Sequence, residues 1–244
     1  LINFFLDRNS SAGYNEFQVP HLVNLDSAYA TGQLPDKDGQ MYHVTNDDFY
    51  LIPTAEVPLT NIYRDKILAV DQVPIMMTGY TPCFRREAGS YGSDVRGLNR
   101  LHQFDKVEIV RIEHPDKSDD ALIKMKEHIK EILTELKIDF RILNLCAGDL
   151  GFTSSITYDF EVFSKGQEKW LEISSVSNFK TYQSNRLNLK FKDKDGKNYT
   201  LHTLNGSSLA LPRVMAGLIE NNQSENGIII PDVLLPYTGF DKIN

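Results

Sequence analysis

Residues 73–112 constrain the fold more than any other stretch. VPIMMTGYTPCFRRE and LHQFDKVEIVRI are both strand-length apolar runs. The loop between them carries Gly89, Gly92 and Gly97 among Arg85, Arg86, Arg96 and Arg100. Two such runs around a glycine-bearing loop predict an antiparallel hairpin. Strand side chains alternate faces, so Cys83, Arg85 and Glu87 are expected to project together. On the return strand Phe104 and Glu108 have one parity, as do His102 and Lys106, which puts Phe104 and Glu108 within reach of the Arg85 face. A flat ring beside a fixed guanidinium suits a purine slot, by stacking and cation–π contact. A surface strand of Arg–Glu ion pairs fits the same spacing, and the pattern alone leaves both readings open. Glu108 lies between Val107 and Ile109, and a carboxylate buried there needs a cation or donors. A structural Lys or Arg, or the ammonium of a ligand, would meet that need.

The other segments complete an outline. Leu1, Ile2, Phe5 and Leu6 recur at helical spacing, and FQVPHLVN reads as an extended segment interrupted by Pro20, which favours an edge or bulge. A short helix and polar loop are expected over 26–40, then two strands, MYHV and FYLIPT, and a helix starting just after Thr54. Residues 119–137 form the clearest helix, with Leu122, Met125, Ile129, Ile132, Leu133 and Leu136 on one stripe. FRILNLC and the hairpin DFEVFSKGQEKWLEISSVSNF add strands, and residues 186–204 alternate as strands around KDKDGKN. SSLALPRVMAGLIENNQ predicts a helix with Leu211, Met215, Leu218 and Ile219 inward, Pro212 being tolerable only in its first turn. Strands dominate without βαβ regularity. The expectation is one α+β domain spanning 1–244, a mainly antiparallel sheet flanked by helices. Neither GxGxxG nor GxxxxGK[ST] occurs, so any nucleotide site is of another kind.

With a net charge of −7, an anion site has to be made locally, and this gives the arginines of residues 85–100 their weight. The two cysteines, Cys83 and Cys146, make no metal-type spacing; both read as buried or semi-buried thiols of a reducing, cytoplasmic setting, with no zinc expected. No 18-residue apolar run is present, so no membrane partner is expected. The Met-less opening LINFFLDRNS lacks a signal peptide's marks and reads as a cut inside a larger protein. Thr54 and Glu56 read locally as a helix cap and a dipole-favouring acid. Glu172 with two hydroxyls in WLEISS is a plausible oxygen set for Mg²⁺. Arg213, early in a helix behind Asn205, Gly206, Ser207 and Ser208, opposes the helix dipole, which suggests an anion is expected there. His102 and His202 read as structural.

FRREAGSYGSDVRGLNRLHQFDKVE resembles motif 2 of class II aminoacyl-tRNA synthetases in its seryl-tRNA synthetase form. TAEVPLTN, EISSVSNF and HTLNGSSLALPRVMAGLIENNQ resemble three further signatures of that family in the same order, and IIIPDVLLPYTGF its tail. The first helix and the Pro20 strand resemble motif 1, which implies a homodimer through them. The resemblance implies ATP held by Arg85 at the α-phosphate, Glu87 at the adenine amino group, Phe104 stacked on adenine, and Arg100 and Arg213 on the polyphosphate. Arg86 and the EISS run (Glu172, Ile173, Ser174, Ser175) complete that set, with Glu172 and Ser175 on Mg²⁺. It places Thr54, Ala55, Glu56, Arg85, Glu108, Asn205 and Ser207 around L-serine, with Glu108 as the ammonium partner. Arg85, Arg213 and Glu172 are the implied catalytic residues. The implied activity forms seryl-adenylate and passes serine to tRNA(Ser), and to tRNA(Sec). An amino acid ligase charging a carrier protein and a non-catalytic paralogue are the alternatives. Ser208 and Pro212 stand where the family commonly has glycine, and Val176 where cysteine is frequent. The family's N-terminal coiled-coil arm, which grips tRNA, is expected to be absent from this chain.

Overall fold

The computed structural model describes residues 1–88 and 97–244. Its frame is a seven-stranded sheet of Asn15–Glu16 (β1), Ile75–Phe84 (β2), Gln103–Glu113 (β3), Phe140–Asn144 (β4), Ile156–Ser164 (β5), Lys169–Lys180 (β6) and His202–Ala210 (β7). The spatial order is β1-β2-β3-β7-β6-β5-β4. Every adjacent pair is antiparallel except the short β1 beside β2. The expected hairpin is β2–β3, paired from Ile75–Ile112 to Phe84–Gln103. The second hairpin is β5–β6.

The helices of interest are Ile2–Ser11 (α1), Leu25–Thr31 (α2), Glu56–Asn61 (α3), Ser118–Glu135 (α4), Tyr182–Arg186 (α5) and Leu211–Asn222 (α6). Strand alternation sorts them onto two sides of the sheet. Val107 and Ile109 of β3 point into a core shared with Phe4 and Phe5 of α1, Met125 and Ile129 of α4, and Val214 of α6. Val110 and Ile112 point the other way, toward Ala55, Leu59, Leu187 and Leu189 around α3 and α5. Glu108 shares the parity of Val110, so it faces α3.

The α4 stripe is buried as its spacing requires, and Asp119 and Asp120 lie in the first turn, where the helix dipole favours acids. Some expectations are corrected and others refined. Helix α6 begins only at Leu211, because SSLA extends β7, and Pro212 sits in its first turn. Val214 and Gly217 face the core in place of Met215, which is exposed beside an apolar groove formed with Ile228–Ile230. The strands expected around KDKDGKN are present as the antiparallel pair Lys190–Lys192 and Asn198–Thr200, followed by β7. Phe4 joins Phe5 as a fully buried residue of α1. Cys146, just past the edge strand β4, is exposed; Cys83 is buried, and both are free thiols.

Candidate active site

Two adjoining spaces open at the end of β3 and β7. The larger is about 650 Å³ and the smaller about 100 Å³. Arg85, Lys106, Glu172, Ser207 and Arg213 line both. The larger reaches down to α3, and the smaller lies against Phe104 and the start of α6.

The floor of the larger space is a closed polar network. Glu56 opens α3 and Glu108 lies in the middle of β3; they are 6% and 0% exposed. The Asn205 amide donates to both, to Glu56 Oε2 at 2.6 Å and Glu108 Oε1 at 3.0 Å. Gln183 Nε2 donates to Glu56 Oε1 at 2.6 Å and to the Thr31 carbonyl, while its oxygen accepts from the Thr203 hydroxyl at 2.8 Å. Lys106 Nζ lies 2.5 Å from Glu108 Oε2 and donates to Thr54 Oγ1 at 2.9 Å. Thr54 in turn donates to Glu108 Oε2 and accepts the Glu56 backbone N–H. The capping role read for Thr54 is therefore half of what it does. Burial first, and then the charge of Glu108, push the Glu56 carboxyl up to about 7, against the hydrogen bond from Gln183 and the charges of Lys106 and Arg85. Burial likewise raises Glu108, against the pull of Lys106.

Three arginines wall the smaller space. Arg85 continues the β2–β3 ladder by one bond, its N–H donating to the His102 carbonyl. Its guanidinium lies 5.3 Å from the Phe104 ring centroid, the juxtaposition read from strand parity. Arg100 donates to Glu87 Oε2 at 2.8 Å. Arg213, just inside α6, donates to the Glu172 carbonyl at 2.6 Å and the Asn99 carbonyl at 3.0 Å. Burial, with repulsion from Arg85 and Arg100, lowers the Arg213 pKa against the pull of Glu172. Three cations crowded beside two carboxylates leave a local positive surplus in a chain of net charge −7.

One geometric expectation changes here. Glu87 does not continue the alternation of Cys83 and Arg85. The ladder ends, and Glu87 takes a left-handed backbone with φ 50°, which turns its carboxylate to Arg100 at the pocket wall. The loop glycines Gly89 and Gly92, and Arg96, lie outside the described residues.

A β-bulge brings Glu172 and Ser175 together. In β6, Glu172 pairs with Glu161, Ser174 with Phe160, and Ser175 with Asp159, with the register shifting at Ile173. The extra residue sends both Ile173 and Ser174 to the core side, so Glu172 and Ser175 share the site face although they are three apart. Asp159 faces them. Its Oδ1 is buried without a hydrogen-bond partner, and burial, then Glu172, push its carboxyl up to about 6. An orphaned carboxylate oxygen, a second carboxylate and a hydroxyl suit a hard divalent cation that keeps several waters. Among the described residues no group of three or more His, Cys, Asp or Glu is placed to hold a metal.

Of the remaining candidates, Ile173 borders the smaller space and Asn205 and Ser207 the larger. Ser174 is spent on the Ser207 carbonyl at 2.6 Å. Ala55 is fully buried beneath α3. The Arg86 side chain runs toward Gly39 and lines neither space. His102 and His202 hold tertiary contacts, to Tyr42 at 2.6 Å and Ser118 at 2.7 Å. Sequence reasoning passed over Lys106, Asp159, Gln183 and Thr203. Lys106 had a usable signal, since it shares the parity of Phe104 and Glu108. Gln183 had none, lying on a five-residue helix between two stretches read as strands.

The chain as a whole is similar to several known proteins. A serine–tRNA ligase of Salinibacter ruber is 56% identical over the whole chain, which covers 57% of that protein. One from a Hydrogenobaculum species is 53% identical over 97% of the chain and 56% of its own length. The crystal structure of seryl-tRNA synthetase from Pyrococcus horikoshii complexed with ATP superposes with a TM-score of 0.96 at 38% identity, over 99% of this chain and 55% of that one. The chain thus spans little more than half the length of the relatives it matches. Residues 42–222, which include every site residue from Thr54 to Arg213, match the tRNA synthetase class II core domain (G, H, P, S and T), and the chain belongs to that family.

Proposed function

We propose that this domain condenses L-serine with ATP to seryl-adenylate and pyrophosphate, and then transfers serine to the 3′-terminal ribose hydroxyl of tRNA(Ser), and of tRNA(Sec). The observation that carries the reading is the junction of two unlike spaces, one walled by arginines and one floored by buried carboxylates, across Arg85, Lys106 and Ser207. Phe104 stacks on the adenine, with Glu87 on its amino group and Arg85 at the α-phosphate. Arg85, Arg100 and Arg213 neutralise the phosphates. Serine's ammonium and hydroxyl meet Glu56, Glu108, Thr54, Asn205 and Ser207.

Serine's carboxylate oxygen attacks the α-phosphorus and the bond to pyrophosphate breaks, so two anions must be brought together. Fixed cations do this by electrostatic preorganisation, and no protein nucleophile is needed. Glu172 and Ser175 would hold Mg²⁺, whose charge when bound offsets that of the polyphosphate. A floor built to hydrogen-bond a small polar side chain rejects alanine because buried groups are then left unpaired, at about 1–3 kcal/mol each. Homodimerisation and a cytoplasmic setting belong to the same reading; no helix among the described residues is long and apolar enough to cross a membrane.

Serine-dependent ATP–pyrophosphate exchange, with alanine, glycine and threonine as controls, tests the proposal. Exchange is expected with serine alone. Exchange with glycine or alanine instead would favour a carrier-charging ligase, and none with any of the four a non-catalytic paralogue.

A further inference from the structure

Lys106 is a buried cation with no assigned task. It is 5% exposed, and its ammonium sits between Glu108 Oε2 and Thr54 Oγ1. The other donors to the paired carboxylates are held rigidly. Gln183 is clamped between Thr203 and the Thr31 carbonyl, and Asn205 bridges Glu56 and Glu108. Only Lys106 serves them from the end of a flexible four-carbon stem. The floor sets two carboxylates, Glu56 and Glu108, against the ammonium of Lys106 before a zwitterion enters. Each oxygen of Glu56 and Glu108 already accepts at least one hydrogen bond, and the donor that an incoming ammonium replaces most evenly is another ammonium.

We propose, resting on the serine-activating reading above, that Lys106 is a catalytic cation displaced onto the reaction centre. The substrate ammonium takes its place on Glu108, and the Lys106 ammonium swings to the junction of the serine carboxylate and the α-phosphate. Its position permits this, because Lys106 lines both spaces and lies on β3 between Phe104 and Glu108. Its charge favours it, because an ammonium that leaves Glu108 within these spaces is drawn to the anions placed there. In the step itself a bond forms between a carboxylate oxygen and the α-phosphorus. The bond from that phosphorus to the bridging oxygen breaks, and the electron pair leaves with pyrophosphate. Lys106 stays protonated throughout and opposes the repulsion between the two anions. Recognition of the amino group is thereby coupled to the arrival of positive charge where bond formation needs it.

The test is Lys106→Gln, which retains a donor for Glu108 and Thr54 but removes the charge. In pyrophosphate exchange its kcat is expected to fall about 100-fold, while the KM for serine is unchanged or lower, since no ammonium competes for Glu108. An unchanged kcat, or a loss confined to KM, would reduce Lys106 to a structural partner and overturn the inference. A second measurement uses the unaltered chain, crystallised with a non-hydrolysable sulfamoyl analogue of seryl-adenylate. Lys106 Nζ is expected off Glu108 and within hydrogen-bond distance of a carbonyl or sulfamoyl oxygen of the analogue. Lys106 still on Glu108 beside bound analogue overturns the inference, whereas an analogue that does not bind overturns the serine-activating reading beneath it.

Discussion

At the scale of single residues, the Asn205 amide donates at once to Glu56 and Glu108, so its loss leaves an oxygen of each buried carboxylate without a donor. Asn205→Ala is expected to destabilise the domain by about 1–3 kcal/mol for each oxygen, read from the midpoint of urea unfolding; an unchanged midpoint contradicts the network. Glu56 gives a prediction with a sign. Its carboxyl moves from 4.5 to about 7 on folding. Below 4.5 both states hold the proton, between there and about 7 only the folded state does, and above that neither does. Its contribution is thus fully present at acid pH and lost as pH rises to about 7. Glu56→Gln does not titrate, so its stability relative to the parent should improve between about pH 5 and pH 8, whatever constant offset its own hydrogen bonds introduce. Urea unfolding at both ends of that range checks this, and the same difference at both ends refutes it. These groups were unevenly legible. Strand parity located Phe104 and Glu108, yet the partner of Glu108 turned out to be Lys106, two residues away on the same face. The backbone reversal at Glu87 broke a parity that alternation could not foresee.

At the scale of elements, α4 and the β2–β3 hairpin were plain because each keeps one period over its whole length. Ile129 is fully buried in α4, and Ile129→Ala should cost about 2–5 kcal/mol, whereas Lys130→Ala on the outer face should stay within about 0.5 kcal/mol. Calorimetric or denaturant unfolding of the pair decides it, and similar losses in both would mean that α4 does not pack as described. Two elements were hidden for opposite reasons. Helix α5 is too short to show a period. The bulge at Ile173 inserts one residue into a strand whose pattern otherwise repeats every two, so the pairing of Glu172 with Ser175 came from family resemblance and not from alternation. Gly79 is another silent constraint, since a Cβ there would lie 2.9 Å from the Phe17 carbonyl, where α1's connection passes behind β2.

At the scale of the whole molecule, Leu22, Leu25, Tyr29 and Phe49 are large, exposed apolar residues around Leu22–Asn24, Phe49–Leu51 and α2, near the Pro20 strand expected to join two copies. Sedimentation equilibrium should give twice the chain's mass, and Leu25→Glu should shift it toward the monomer; a monomeric parent would remove dimerisation from the proposal. Helix α1, expected to share that contact, turns Phe4 and Phe5 into the core. The sheet order carries one more consequence. Strand β7, the last of the seven in chain order, lies at the centre of the sheet, with β3 on one side and β6 on the other. Until residues 202–210 emerge, the nascent chain holds two half-sheets, each with an open, pairing-competent edge. Asn205, Ser207 and Arg213 arrive with the strand and the helix behind it. The same insertion that closes both edges completes the candidate pocket, so a ribosome that stalls short of β7 leaves a product that lacks the pocket and is prone to aggregate.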